Sequence, residues 1–147
     1  MGQKLLIVDD EPHIRMLIEQ TLEDLEDYDV TFLSADNGED ALEIIKEEKP
    51  ALVFLDVMMP KMNGMEVCRR VKKELQLNDV YIVLLTAKGQ ELDRQKGNEV
   101  GADVYMTKPF DPEAILSKAK LFLGNASRYI KNGLPDNWTG AEEMHSK

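Results

Sequence analysis

ALVFLDVMMPKMNG, residues 51–64, decides how this chain folds. It opens after Pro50 with an unbroken apolar run, 51–55, and stops at Asp56. A run that short, bounded by a breaker and by polar residues, reads as a strand buried on both faces, which is how parallel strands look. Pro60 and Gly64 then interrupt the chain, so 57–63 reads as a loop. An aspartate at the mouth of such a strand stands where the chain leaves the sheet, and ligands of open α/β sheets bind at that rim. By itself Asp56 suits equally well a residue that caps or solubilises the strand end. The other strand ends decide between the two.

Working outward, 4–8 (KLLIV) is a second buried-strand run, ending in Asp9-Asp10. Pro12 follows in the first turn of a helix, where its missing N–H costs nothing. Ile14, Leu17, Ile18, Thr21, Leu22 and Leu25 recur at helical spacing. A strand rich in β-formers follows at 28–34, and then a helix to Lys49, capped by Asn37, with Ala41, Leu42 and Ile45 facing inward. After the 51–56 strand, Asn63 caps a helix over 64–75. Glu66 gives it the look of a capping box, and Val67, Cys68, Val71 and Leu75 are its expected inner face.

The fourth strand, 80–85 (VYIVLL), ends in Thr86. The fourth helix, 89–100, has little apolar content beyond Leu92 and Val100, and Gly97 weakens it further. A short fifth strand at 103–106 leads to Thr107-Lys108-Pro109. Asp111-Pro112-Glu113 opens a fifth helix, with Ile115, Leu116, Ala119, Phe122 and Leu123 inward. Strand and helix thus alternate five times. The expectation is α/β, a doubly wound five-stranded parallel sheet of order 2-1-3-4-5, the flavodoxin-like arrangement. Its switch point lies between strands one and three, whose ends carry Asp9, Asp10 and Asp56.

The 147 residues suit one domain over 1–123, with 124–147 a polar C-terminal tail that extends the last helix or serves as a linker. Trp138, in LPDNWTG, reads as packing on the domain surface. Apolar residues make up 43%, enough for a compact core. No run has the length of a membrane span and the N-terminus lacks a secretory pattern, so a cytoplasmic protein without membrane contact is expected. The net charge of −10 repels phosphate backbones and argues against direct nucleic-acid binding. Cys68 is the only cysteine, which excludes an intrachain disulfide and a thiolate metal site.

Three carboxylates at one rim raise each other's pKa unless a cation offsets them. An oxygen-only donor set selects a hard cation such as Mg²⁺. Lys108 brings a point charge to the same rim, and Thr86 a hydroxyl. Carboxylate nucleophile, hard metal, lysine and hydroxyl together are what phosphoryl transfer to a carboxylate requires. Each residue alone is common; the ordered set Asp-Asp, Asp, Thr, Lys-Pro after strands one, three, four and five is specific.

LLIVDDEP, LVFLDVMMPKMNG, VYIVLLTA and GADVYMTKPF, spread over residues 5–110, resemble a response-regulator receiver domain of two-component signalling, of the stand-alone chemotaxis type. The resemblance implies Asp56 as phosphoacceptor and Mg²⁺ held by Asp9, Asp10, Asp56 and the backbone carbonyl of Met58. It implies Lys108 as partner of the phosphoryl group, with a cis bond to Pro109. Thr86 and Tyr105 match the family's paired switch residues. The implied partners are a histidine kinase or histidine phosphotransfer protein, and an output protein at the face of the fourth helix, fifth strand and fifth helix. A monomer or a phosphorylation-dependent dimer is expected. Such a protein is a signalling switch and not an enzyme, though it phosphorylates itself from small donors and dephosphorylates.

Three readings compete. A receiver belonging to a longer response regulator would use 124–147 as a linker. An aspartyl-phosphate phosphatase would want an acid/base aspartate two residues past its nucleophile, where this chain has Met58. An FMN carrier would want a phosphate-holding loop after strand one, where Asp-Asp-Glu stands instead.

Overall fold

The computed structural model describes residues 3–23, 30–87, 99–108 and 111–120. Leu25, Tyr28, Lys88, most of the 89–100 helix, Pro109 and its peptide bond, Phe122, Leu123 and the tail with Trp138 lie outside the described residues.

Five parallel strands form the sheet: β1 (Gln3–Val8), β2 (Val30–Ala35), β3 (Leu52–Asp56), β4 (Tyr81–Ala87) and β5 (Val104–Lys108). Their order is β2-β1-β3-β4-β5, as expected. Side chains alternate across a pleat, so an all-apolar strand feeds two cores at once. Leu6, Val8, Val53, Leu55, Ile82 and Leu84 point to one face, where α2 (Gly38–Glu48) and α3 (Gly64–Arg69) cover them with Ala41, Leu42, Ile45, Val67 and Cys68. Leu5, Ile7, Leu52, Phe54, Val83 and Leu85 point to the other, beneath α1 (Pro12–Thr21) and α4 (Pro112–Ala119), the helix counted fifth in the sequence. Ile18 and Leu22, both fully buried, fasten α1, at about 1.5–3 kcal/mol apiece.

The caps follow the sequence. Asn37 accepts the N–H of Asp40, Asn63 that of Glu66 and Asp111 that of Glu113. The capping box is half realised, because the Glu66 carboxylate turns to Arg69 and Arg70 instead of back to the cap. Those hydrogen bonds, with the two guanidinium charges, hold its carboxyl down near 2.

Three expectations need correcting. The helix from Gly64 does not run regularly to Leu75, since Arg70–Glu74 is a π turn closed by Leu75 N–H to Arg70 O (2.8 Å). The wider turn accommodates one extra residue. Leu75 therefore swings off the inner face and is 40% exposed, and Leu77 packs against the core beyond it. Leu17 likewise lies on the outer side of α1, beside exposed Met16. Finally, β4 and β5 each continue two residues beyond their expected ends at 85 and 106, so Thr86 lies within β4. Thr107 and Lys108 still pair with Thr86 and Ala87, which carries the lysine to the end of the strand.

Candidate functional site at the mouth of β1 and β3

Parallel strands joined by crossovers bring all their C-terminal ends to one edge. The pairing of Val8 with Leu55 sets the next residues of the two strands, Asp9 and Asp56, side by side at that edge. Helices leave β1 and β3 toward opposite faces, which opens a crevice between them. Asp9 and Asp56 are buried and Asp10 is exposed, and the carboxylates of the three offer oxygens within 4.8 Å of one another.

Lys108 reaches the acids from β5. Its Nζ donates to Asp9 Oδ2 at 2.7 Å and lies 3.1 Å from Asp56 Oδ1. Asp9 is bonded on every side. Its Oδ1 accepts the Glu11 N–H (3.0 Å), its carbonyl accepts Arg15 Nη1 (2.7 Å), and its own N–H donates to the Ala35 carbonyl (3.2 Å). Asp56 has less support. Burial pushes its carboxyl up to about 6, and neighbouring Asp9 adds to the rise. The charge and hydrogen bond of Lys108 offset part of it. Burial opposes the charge on Lys108, but its hydrogen bond to Asp9 and the negative charges of Asp56 and Asp9 outweigh burial and leave its pKa above the ordinary value.

Among the described residues one ammonium thus faces three carboxylates, a net negative pocket open to solvent through Asp10. Oxygen donors alone, with excess negative charge, fit a hard divalent cation such as Mg²⁺. Met58, two residues past Asp56, presents a 59% exposed thioether. Thr86 is buried on β4, one residue beyond the Asp56 partner Leu85. Tyr105 is half-buried on β5 beside Leu84, against the α2–α3 core.

Sequence reasoning missed two supports of this site. One is Arg15, whose guanidinium is aimed at a backbone carbonyl from the first turns of α1. Its only signal is its position one turn past Glu11. The other is the turn between β2 and α2, whose Ala35 carbonyl holds the Asp9 N–H. A cavity of about 430 Å³ lined by Arg15, Ser34, Asp36, Asp40, Glu43 and Ile44 opens beside that turn, and none of the clustered acids lines it.

A doubly wound sheet with clustered carboxylates and a lysine at its switch point defines the class, an α/β domain with an acidic site at the C-terminal edge of its strands. Residues 5–120 match the response regulator receiver domain, and the chain belongs to that family. It is 44% identical over 123 residues to the "Alkaline phosphatase synthesis transcriptional regulatory protein PhoP" of Bacillus subtilis (strain 168), covering 84% of this chain and 49% of that one. It is 43% identical over 136 residues to the "Probable transcriptional regulator ycf27" of Porphyra purpurea, covering 92% of this chain and 54% of that one. The chain therefore spans about half the length of these curated relatives. Among solved structures, the BeF3-activated DrrB receiver domain is similar with a TM-score of 0.72 and 36% identity, covering 84% of this chain and 99% of that one. The chemotaxis response regulator CheY4 of Vibrio cholerae aligns with a TM-score of 0.71 and 31% identity, covering 84% and 100%.

Proposed function

We propose that the receiver, residues 1–123, is a Mg²⁺-dependent phosphorylation switch whose phosphoacceptor is Asp56. The observation that carries the reading is the Lys108 ammonium held between Asp9 and Asp56 at the switch point. Asp56 Oδ attacks the phosphorus of a phosphohistidine on a kinase or phosphotransfer protein, and the P–N bond breaks as the imidazole leaves. A carboxyl with a pKa of about 6 is mostly ionised at neutral pH and so available as the nucleophile. Asp10 and Asp56, with Asp9 assisting and the Met58 carbonyl completing the set, would hold the Mg²⁺. Bound there, the ion neutralises charge on the transferring group. Lys108 exchanges its Asp56 contact for a phosphoryl oxygen while keeping its bond to Asp9.

Readout passes through Thr86 to Tyr105 and the surface of the 89–100 helix, β5 and α4. A hundredfold change in the ratio of two states needs about 2.7 kcal/mol. One charge-assisted hydrogen bond from Thr86 to the phosphoryl group contributes about 1.5–3 kcal/mol. The protein acts in the cytoplasm as a signalling switch, with 124–147 as its tail. Among the described residues no helix is long and apolar enough to cross a membrane.

The test is acetyl phosphate with Mg²⁺, read by intact mass. Wild type gains one phosphoryl group and Asp56→Asn gains none; an equal yield in the variant would overturn the assignment. A second reading has the same receiver joined to an output domain. It is favoured by the half-length match to relatives named as transcriptional regulators. The full open reading frame decides it.

A further inference from the structure

The turn at 35–38, between β2 and α2, touches both segments that leave the sheet beside the clustered acids, after β1 and after β3. On one side the Ala35 carbonyl accepts the Asp9 N–H (3.2 Å), just where the chain leaves β1. On the other, the start of α2 lies directly against the loop after β3. A Cβ on Gly38 would overlap the Met62 carbonyl and stand 2.7 Å from the Met62 Cβ. Gly38 is not among the residues with positive φ, so space and not backbone conformation requires glycine there.

The turn is stiff. The buried Asn37 side chain accepts the Asp40 N–H (2.9 Å) and donates to Asp36 Oδ1 (2.8 Å) and Asp40 Oδ2 (2.9 Å). The loop it meets is stiff as well. The Met62 N–H donates to the Pro60 carbonyl (2.8 Å), and the Gly64 N–H donates to the Val57 carbonyl (2.8 Å). A Cβ on Gly64 would overlap the Asp56 carbonyl. These contacts make a continuous route from Met62 through Gly64 and Val57 to the Asp56 carbonyl, along which a displacement of Met62 would reach the end of β3.

We propose that the turn at 35–38 is a brace that sets the separation between the acid loop after β1 and the loop after β3, with Gly38 as its positioning residue. Gly38 acts through the Met62 backbone and touches no reacting atom. The inference rests on the proposed function for what the two loops do; the contact itself is geometric.

Gly38→Ala tests it, with Ile45→Val as the control, a loss of one buried methyl further along α2. Gly38 is the first residue of α2, directly after the Asn37 cap, and alanine is no worse a helix former there, so propensity does not oppose the variant. In metal-free protein, Gly38→Ala is expected to shift the amide resonances of both 9–11 and 57–63, and Ile45→Val neither. Losing a hydrogen-bond partner of a metal ligand typically costs about 10–100-fold in metal affinity, and Gly38 stands one contact further out, so the low end is expected. The Mg²⁺ midpoint, from calorimetry and from acetyl phosphate labelling, should rise about tenfold in Gly38→Ala, with the labelling plateau at saturating Mg²⁺ retained. Should Gly38→Ala not fold, Met62→Gly keeps the carbonyl but takes away the Met62 Cβ that backs it and frees the loop backbone, so the brace has a yielding partner and a raised midpoint is again expected. Shifts that leave 9–11 unmoved, or a midpoint equal to that of Ile45→Val, would overturn the brace. Wild type that takes no phosphoryl group would count against the proposed function, and the amide shifts would still decide the brace.

Discussion

Lys108 and Lys72 each lie against aspartate, at opposite edges of the sheet. At the C-terminal edge one ammonium serves two buried carboxylates, Asp9 and Asp56, with Asp10 close by. At the N-terminal edge Lys72, 8% exposed, pairs with Asp103 alone (2.9 Å) and donates to the Val80 carbonyl (2.6 Å). Asp103 in turn accepts the Ile82 N–H (2.8 Å). The second pair is balanced in charge and each member is also hydrogen-bonded to backbone, so it works as a clamp between the π turn at Arg70–Glu74 and the entry to β5. The first carries surplus negative charge that the fold does not neutralise, which leaves room for a cation and a reaction. Burial of a lysine says little about function; the count of charges around it says more.

The largest effect should come from removing each cation. Lys108→Met leaves buried Asp9 and Asp56 without their cation and is expected to cost about 3–5 kcal/mol without metal in denaturant unfolding. Lys72→Met leaves the partly exposed Asp103 without its ion-pair partner and should cost less, about 1–3 kcal/mol. Mg²⁺ should restore much of the loss only in Lys108→Met. Equal rescue of both would erase the distinction between clamp and site.

Next in size is the pH dependence. The Asp56 carboxyl sits at about 6 in the folded protein, above its ordinary value. Protonation therefore favours the fold. That contribution is fully present below about pH 4 and is lost as pH rises through about 6. Metal-free Asp56→Asn should accordingly exceed wild type in stability at pH 7, by about 3 kcal/mol at most, and the gap should close toward pH 4. Asp103→Asn should be less stable than wild type at pH 7, since it breaks a balanced pair. Thermal unfolding across pH checks both signs.

Smaller again is the metal affinity. Asp10→Ala removes the exposed carboxylate of the cluster and should weaken Mg²⁺ binding about tenfold by calorimetry. Least is the lifetime of the phosphoryl group. The exposed Met58 thioether orients water poorly, whereas an amide holds it by hydrogen bonds. Met58→Asn should therefore speed dephosphorylation severalfold, and an unchanged decay rate would remove Met58 from the mechanism.

The strands and their order were legible because a parallel strand buried on both faces writes itself as an apolar run, and the acids stood out where the runs stopped. Lys108 was placed on the correct rim but outside its strand, because Thr107 and Lys108 are polar and pairing, not hydrophobicity, extends β5. The π turn was invisible, since the spacing of Val67, Val71 and Leu75 suits a regular helix equally well. Only the wider turn shows that Leu77 and not Leu75 closes the core. The contacts of Gly38 with Met62 and of Arg15 with Asp9 depend on elements distant in sequence coming together, and no local pattern encodes them.

Cys68 makes the clamp edge observable. Its thiol is fully buried on α3, where Sγ contacts the Val100 carbonyl at 3.6 Å, and burial pushes it up to about 12. A thiol in that setting does not react with an alkylating reagent while the corner is closed. Because the chain has no other cysteine, its labelling rate at mild pH counts the openings of α3 away from residues 99–103. A single native atom thus serves as a clock for the approach to β5, and it can be read with Mg²⁺ and acetyl phosphate absent or present.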